Sequence, residues 1–296
     1  MKPPAFDYHA PTSISEAIAA LAHYGGEAKV LAGGQSLMPL LNMRLVRPAA
    51  LVDINRIASL EGIRVDDGRI TVGALTRQRA LEEDGALAAA LPLLGEIARY
   101  IGHPAIRNRG TVGGSLAHGD PAAELPCAML ALEAALVVEG PRGARPVPAE
   151  RFHRHLLTTD LAFDELLTGI EIPVPPRATG HGFAELTRRF GDFAVVGAVA
   201  LITLDPVGRC CRARVALAGV APTSVRARRV EAALEGDGLE PTRIDEAVQL
   251  AREEIDPPSD LHAPRAYREA MTAVMIRRAV LEAARRARTA AGGRNA

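Results

Sequence analysis

Two kinds of hydrophobic periodicity divide the first 55 residues into a helix and two strands. Ser13 and Glu16 have the spacing of a capping box, and apolar positions at a helical period follow until Gly25 ends the helix. The apolar runs 29–32 and 51–54 are short enough to be buried strands. This order of elements predicts a small α/β module.

From residue 62 onward the pattern becomes that of a mixed helix and strand region. Asp67-Gly68 separates two alternating runs, 63–65 and 69–72, which is typical of a tight β-hairpin. Helices are then predicted over 77–83, 93–101 and 124–132, and strands over 135–138 and 164–172. Residues 102–121 are rich in glycine and small polar residues and predict neither helix nor strand.

A proline-rich stretch at 173–176 predicts a domain boundary. Three strands are predicted beyond it, over 182–187, 195–204 and 211–219. Three helical segments follow, over 225–235, 244–253 and 265–288. We therefore predict an α+β chain divided into 1–176 (parts 1–55 and 56–176), 177–289 and a frayed tail, 290–296.

The composition carries no nucleic-acid or membrane signal. Of the 296 residues 48% are hydrophobic, and Lys+Arg and Asp+Glu number 35 each, so no net field attracts nucleic acid. Aromatic residues make up 3%, which leaves little for stacking on bases.

The longest apolar run, 194–204, is too short for a bilayer, and the N-terminus lacks the apolar core of a signal peptide. Three cysteines supply neither a disulfide framework nor a four-thiolate metal site. We expect a cytoplasmic protein with no metal centre of its own.

A glycine-rich segment, Ala32-Gly33-Gly34-Gln35-Ser36, directly follows the first predicted strand. Glycines let backbone N–H groups approach a phosphate closely, and successive N–H groups form an anion-binding nest. The segment is neither a Gly-x-Gly-x-x-Gly motif nor a P-loop, and an ordinary strand-to-helix turn has the same composition. Alone, it leaves both alternatives open.

A second segment runs from Gly110 through Thr111-Val112-Gly113-Gly114-Ser115. Its interleaved glycines and hydroxyls suit a pyrophosphate or a ribityl chain, and Glu124 is able to accept hydrogen bonds from sugar or ribityl hydroxyls. An irregular surface loop is the alternative. The two segments lie about 80 residues apart, and their matched chemistry favours one extended dinucleotide that bridges both.

Taken together, Ala-Gly-Gly-Gln-Ser-Leu-Met-Pro (32–39) and Thr-Val-Gly-Gly-Ser-Leu-Ala-His-Gly-Asp-Pro (111–121) resemble a known pair of FAD-binding motifs. They are those of the flavin-carrying medium subunit of molybdenum hydroxylases, the family of carbon monoxide, xanthine and nicotine dehydrogenases. The resemblance extends to residues 188–194 and to Tyr267-Arg268. It implies a two-part FAD-binding domain of the vanillyl-alcohol-oxidase (PCMH) type over 1–176. A C-terminal flavoprotein domain would follow over 177–289, with a three-stranded antiparallel sheet and a helical bundle.

The resemblance also implies a function in electron transfer. In this family a large subunit hydroxylates the substrate at a molybdopterin cofactor, and a small subunit relays electrons through [2Fe-2S] clusters. The flavin subunit collects them as reduced FAD and passes them to an external acceptor such as NAD, a quinone or oxygen. The cofactors carry this chemistry, and the protein positions them. The chain is then expected to bind FAD and to join both partner subunits in a dimer of heterotrimers.

Individual FAD contacts follow from the same resemblance. The two segments would hold the pyrophosphate and nearby groups, Glu124 would bind hydroxyls, and Leu167 would contact the adenine-side half. Plain core packing is the alternative for Ile101, Ile106 and Leu167. The full set assigned to the cofactor is Val30, Leu31, Ala32, Gly33, Gly34, Gln35, Ser36, Leu37, Ile101, Ile106, Gly110, Thr111, Gly114, Ser115, Glu124, Leu167, Glu185 and Phe193.

One position departs from the family pattern. Many relatives carry a lysine near the isoalloxazine ring, seven residues before a Gly-Asp aspartate, and here that position is Glu185. A carboxylate there disfavours anionic reduced flavin unless a cation such as Arg188 or Arg189 neutralises it. Phe193 lies where relatives often have an aromatic residue that shields one flavin face, with a core position as the alternative.

Two further hypotheses remain. The chain is also compatible with a stand-alone flavin oxidoreductase of the same fold, which needs a general base near the flavin, with Asp192, Glu185 and His118 as candidates. The other is a non-catalytic nucleotide-binding or assembly protein that holds no flavin.

Overall fold

The chain folds around three main β-sheets, which follow one another along the sequence. The computed structural model describes residues 2–236 and 238–292. Within these residues the first sheet is parallel, with the strand order β1-β3-β2. Its elements are β1 (Asp7–His9), α1 (Ile14–His23), β2 (Ala28–Leu31), α2 (Leu37–Asn42) and β3 (Ala50–Asp53). Ser13 caps α1 by accepting the Glu16 N–H, as predicted, and the Glu16 side chain accepts the N–H of Thr12.

The second sheet is antiparallel, with the order β4-β5-β10-β6-β7, and short helices lie between its strands. A 3₁₀ turn, Ala58–Leu60, precedes it, and the predicted hairpin forms with Gly68 at φ +80°. Its strands are β4 (Ile63–Asp66), β5 (Arg69–Gly73), β6 (Ala135–Gly140), β7 (Gly143–Pro148) and β10 (Leu166–Pro173). The helices are α3 (Gln78–Glu83), α4 (Gly85–Ala90), α5 (Pro92–Ala98), α6 (Pro104–Arg107), α7 (Val112–His118), α8 (Glu124–Ala131) and α9 (Ala149–Phe152). A two-stranded ribbon consists of β8 (His153–His155) and β9 (Thr158–Thr159).

The third sheet is antiparallel and follows the proline-rich stretch. It has the order β11 (Thr179–Leu186), β12 (Val196–Leu204), β13 (Cys210–Ala218) and a two-residue β14 (Val225–Arg226). The helices after it are α10 (Arg228–Leu234), α11 (Pro241–Ala247), a 3₁₀ segment (Val248–Glu253) and α12 (Arg265–Gly292). The predicted three-stranded sheet with a helical bundle is confirmed, and β14 extends its edge.

Helix α12 lies unusually close to β11 because glycines and alanines face each other. A Cβ added to Gly180 would come within 2.9 Å of the Cα of Ala287. A Cβ added to Gly182 would come within 2.9 Å of the carbonyl carbon of Ala279. The two backbones therefore touch without side chains between them.

Several predicted elements need correction. Residues 102–121 contain α6 and α7, because Thr111 caps α7 and its glycines face closely packed neighbours. The predicted helix 225–235 begins as β14, since Val225 and Arg226 pair with β13. The predicted helix 244–253 is α11 followed by the 3₁₀ segment. Helix α12 continues to Gly292, so it includes the first part of the stretch 290–296 that was predicted as a frayed tail. Residues 293–296 lie outside the described residues.

The core consists of three clusters of buried apolar residues. One lies under the first sheet, and one lies between the third sheet and α12. The largest lies under the second sheet and includes Val199 and Ala216 of the third sheet. The second and third sheets therefore share buried surface. No helix in the part of the chain that the structure describes is long and apolar enough to cross a membrane.

Candidate cofactor-binding site

The first glycine-rich segment presents a run of free backbone donors. It connects β2 to α2, and Gly34 adopts the left-handed region with φ +73°. Among the described residues, the N–H groups of Gly33, Gly34, Gln35, Ser36 and Leu37 donate to no acceptor. Five successive unpaired N–H groups on a half-buried turn suit an anionic group such as a pyrophosphate.

The second segment uses most of its donors within the protein. The N–H groups of Val112 and Gly113 donate to the carbonyl oxygens of Thr76 (2.9 Å) and Ala74 (2.8 Å). The N–H of Gly114 donates to Thr111 Oγ1 at 3.0 Å. The Ser115 hydroxyl has no partner among the described residues and is half-buried. The structure therefore anchors this backbone and leaves Ser115 available, whereas the sequence suggested a backbone cradle.

The two segments touch each other directly. A Cβ added to Gly33 would come within 2.8 Å of the Cα of Gly110 and closer still to the carbonyl oxygen of Arg109. A Cβ added to Gly114 would lie 3.8 Å from the Cβ of Ala32. The structure thus brings together the two segments that the sequence singled out.

Asn55 and Arg77 connect the two glycine-rich segments through hydrogen bonds. The Asn55 side-chain amide donates to the carbonyl oxygen of Ala32 at 2.9 Å. Arg77 donates to Asn55 Oδ1 at 2.8 Å and to the carbonyl oxygen of Arg109 at 2.6 Å. Sequence reasoning missed both residues. Asn55 directly follows a predicted strand and Arg77 opens a predicted helix, but no pattern indicates that they meet.

Two carboxyl groups, the buried Glu124 and the half-buried Glu185, have raised pKa values. Glu124 is the first residue of α8 and only 6% exposed, and burial raises its pKa to about 7. Burial, and next the charge of Glu124, raise the pKa of Glu185 in β11 to about 8. Arg188 and Arg189 are exposed and form no ion pair with Glu185 in the described structure, so the expected neutralising cation is not there.

The apolar residues assigned to the cofactor divide into core and surface positions. Ile101 and Leu167 belong to the largest core cluster, and their contact with the cofactor stays a prediction. Ile106 and Phe193 are 37% and 59% exposed, which excludes a core position for either. The turn at Gly191 packs against Gly102 and His103, so these exposed residues lie on neighbouring turns. Val30, Leu31 and Leu37 are half-buried around the first segment.

Fold and site together define a flavin- or nucleotide-binding protein of mixed helix and sheet. Residues 4–175 match the family described as "FAD binding domain in molybdopterin dehydrogenase". Residues 181–283 match the "CO dehydrogenase flavoprotein C-terminal domain". The chain therefore belongs to the family of FAD-binding subunits of molybdopterin dehydrogenases, which are oxidoreductases.

Individual relatives match along nearly the whole chain. The carbon monoxide dehydrogenase medium chain of Afipia carboxidovorans is 41% identical over 97% of this chain and 100% of its own length. The 6-hydroxypseudooxynicotine dehydrogenase complex subunit alpha of Paenarthrobacter nicotinovorans is 41% identical over 97% of both chains. A chain of carbon monoxide dehydrogenase from Hydrogenophaga pseudoflava superposes with a TM-score of 0.94 at 40% identity, covering 97% of this chain and 99% of that chain. The predicted family is confirmed.

Proposed function

We propose that this chain is the FAD-carrying electron-transfer subunit of a molybdenum hydroxylase. The observation that carries the proposal is the run of unpaired N–H groups from Gly33 to Leu37, placed against Gly110. A pyrophosphate needs convergent donors, and this turn offers them without a bulky side chain in the way. Membership of the FAD-binding family supports the same cofactor.

The residues present fit FAD. The Gly33–Leu37 turn would receive the pyrophosphate, and Ser115 would add a hydroxyl contact beside it. Glu124 would accept hydrogen bonds from hydroxyls of the cofactor, and the exposed Phe193 and Ile106 would cover apolar parts of its rings. FAD, once bound, supplies the capacity to accept electrons and to pass them on. The chain's own part is to bind, orient and shield it.

Electron flow in the proposed complex involves other chains. We infer a small iron–sulfur subunit as the electron donor, a large molybdopterin subunit that hydroxylates the substrate, and an external acceptor. The relatives support this, because their names describe medium chains or complex subunits. We further propose a dimer of heterotrimers in the cytoplasm, where the free Cys127, Cys210 and Cys211 stay reduced. No observation favours the stand-alone oxidoreductase.

The test is to purify the chain and record its absorption spectrum before and after heat release of the cofactor. We expect a yellow protein that releases FAD, and FAD-free protein that takes up FAD in preference to FMN, since the Gly33–Leu37 turn requires a pyrophosphate. A colourless chain that binds no added FAD would contradict the proposal. Co-expression with candidate small and large subunits then tests the complex, with one stable three-chain assembly as the expected result.

A further inference from the structure

A cavity of about 420 Å³ lies between the end of β11 and the start of α12. Pockets that bind small molecules have volumes of about 300–1,000 Å³, so this cavity is large enough for a small organic ligand. Leu186, Val195 and Ala263 line its apolar part. Such a pairing of apolar wall and polar rim is typical of ligand pockets.

A connected set of hydrogen bonds holds the walls of the cavity in place. The buried Arg268 donates to the carbonyl oxygen of Val195 at 2.6 Å and to Asp260 at 2.7 Å. Asp260 in turn accepts the N–H of Ala263 at 3.0 Å, and the Val195 N–H donates to the carbonyl oxygen of Leu186 at 2.8 Å. The cavity is therefore preformed, which lowers the entropic cost of binding a ligand.

Three polar side chains line the cavity without a partner among the described residues. The Arg188 guanidinium forms no ion pair there, and the side chains of His262 and Tyr267 make no hydrogen bond. None of the described residues that line the cavity is acidic. Because the planar guanidinium fork matches a carboxylate or a phosphate, Arg188 favours an anionic ligand.

The two arginines nearest to Tyr267 along α12 differ from Arg188 in this respect. Arg265 is paired with Asp256, and Arg268 is paired with Asp260. These carboxylates are thus already bound to other cations. The charge of Arg188 remains available to a ligand.

The cavity lies on the face of β11 that is turned toward α12. Gly182 touches α12, and Leu186, which has the same parity along the strand, packs against the core cluster beside that helix. Phe183 has the opposite parity and packs against the largest cluster, to which Val112 of the second glycine-rich segment also belongs. The cavity and the glycine-rich segments therefore lie on opposite sides of β11.

We propose that this cavity binds a small anionic molecule with a planar ring, at a site separate from that of FAD. Arg188 holds the carboxylate or phosphate group of the ligand, and His262 adds a hydrogen bond. The Tyr267 ring, which is 46% exposed, stacks on the planar part. Leu186 and Val195 cover its apolar edge. This inference goes beyond the proposed function and does not depend on it.

Ligand-observed NMR on the FAD-loaded, full-length chain tests the site, with phenyl phosphate and benzoate as probes that each carry an anionic group on a ring. FAD occupies its own site in this sample, so the probes report on a second one. We expect saturable binding of at least one probe, with a dissociation constant on the order of 1 mM or tighter. Phenol and inorganic phosphate, which each supply only one of the two features, should displace it only at about tenfold higher concentration. Preference for either probe identifies the anionic group that the site takes.

Variants of the lining residues make the test specific. Arg188→Ala should weaken probe binding at least about tenfold, because the charge-assisted hydrogen bonds are lost. Tyr267→Leu should weaken it as well, whereas Tyr267→Phe keeps the ring and should bind normally. Arg189→Ala is the matched control, since Arg189 is the neighbouring exposed arginine and does not line the cavity.

The possible results distinguish this site from the FAD site. Absence of saturable binding of both probes overturns the proposal, and so does binding that Arg188→Ala leaves unchanged. An equal loss in Arg188→Ala and Arg189→Ala also overturns it, because unspecific charge attraction then explains the binding. If the purified chain takes up no FAD but binds a probe with the expected dependence on Arg188, the proposed function fails and the second site stands.

Discussion

Gly33 lies directly against the carbonyl group of Arg109, at a distance that no side chain at position 33 fits. The contact joins the turn after β2 to the segment before α7. It thereby couples the N-terminal parallel sheet to the larger antiparallel sheet at the place where the free N–H groups converge. The shape of the proposed pyrophosphate site depends on this backbone-to-backbone contact.

Gly33→Ala is expected to weaken FAD binding strongly. The new Cβ would meet the Gly110 Cα at 2.8 Å, and only backbone movement relieves that contact. We expect at least about a 100-fold increase in the FAD dissociation constant, or about 2.8 kcal/mol, measured by fluorescence titration. Gly85→Ala is the control, because a Cβ at Gly85 meets nothing within 4 Å. Equal FAD affinity in both variants would contradict the role of the contact.

Arg77→Ala should weaken FAD binding at the same site without introducing a steric clash. It removes the hydrogen bonds to Asn55 and to the carbonyl oxygen of Arg109. We expect FAD affinity to fall about tenfold, or about 1.4 kcal/mol. Arg77→Lys should not restore it, because a single ammonium group does not reproduce the fork of the guanidinium. Arg64→Ala, at an exposed ion pair on β4, provides the comparison and should bind FAD normally.

Thr111→Val tests the cap of α7. The substitution keeps the shape of the side chain but removes the oxygen that accepts the Gly114 N–H. We expect the free energy of unfolding to fall by about 1 kcal/mol in urea titrations, and Thr111→Ser to restore most of it. A Val variant as stable as wild type would show that the cap contributes nothing.

The unfolding free energy of FAD-free protein should depend on pH because of Glu124 and Glu185. Both have pKa values raised above the ordinary value of a glutamate, to about 7 and about 8. The folded state therefore binds more protons than the unfolded state, so their contribution is fully present below pH 4.5 and is lost as pH rises through about 8. Relative to Glu185→Gln, wild type should lose on the order of 2 kcal/mol of unfolding free energy between these limits. A pH-independent difference would refute this.

Arg268 is expected to dominate the stability of the C-terminal region. Its buried guanidinium donates to the carbonyl oxygens of Val195 (2.6 Å) and Gly219 (3.0 Å) and to Asp260 (2.7 Å). Arg268→Lys should cost about 3 kcal/mol in thermal or chemical unfolding, because one ammonium does not reach all three acceptors. Arg265→Lys, at an exposed ion pair with Asp256, should cost less than about 0.5 kcal/mol.

The sequence predicted the elements best where local signals were strong. Ser13 and Glu16 located the start of α1, and Asp67-Gly68 located the hairpin, because capping and turn chemistry depend on neighbouring residues alone. Residues 102–121 were less predictable. Glycine disfavours helices, yet α7 forms because Gly113 must pack against Ala74. That constraint comes from Ala74, the residue directly after β5, and the local sequence pattern does not show it.

The candidate site was predictable in part for the same reason. Both glycine-rich segments were visible as motifs, and the structure brings them into contact. The hydrogen bond between Arg77 and Asn55 could not be predicted, since the two residues come from separate segments and are ordinary polar residues. The raised pKa values of Glu124 and Glu185 were also not predictable, because they depend on how far the folded chain buries each carboxyl group.

The backbone contact between β11 and α12 limits which substitutions this chain tolerates. Gly180 and Gly182 touch the backbone of α12 at Ala287 and Ala279, so neither partner has a side chain that moves aside. A larger residue at either glycine meets backbone atoms of α12, which no substitution on the helix removes. In a library randomised at these two positions and selected for folding, glycine alone should be recovered at both, while exposed positions of the same helix diversify.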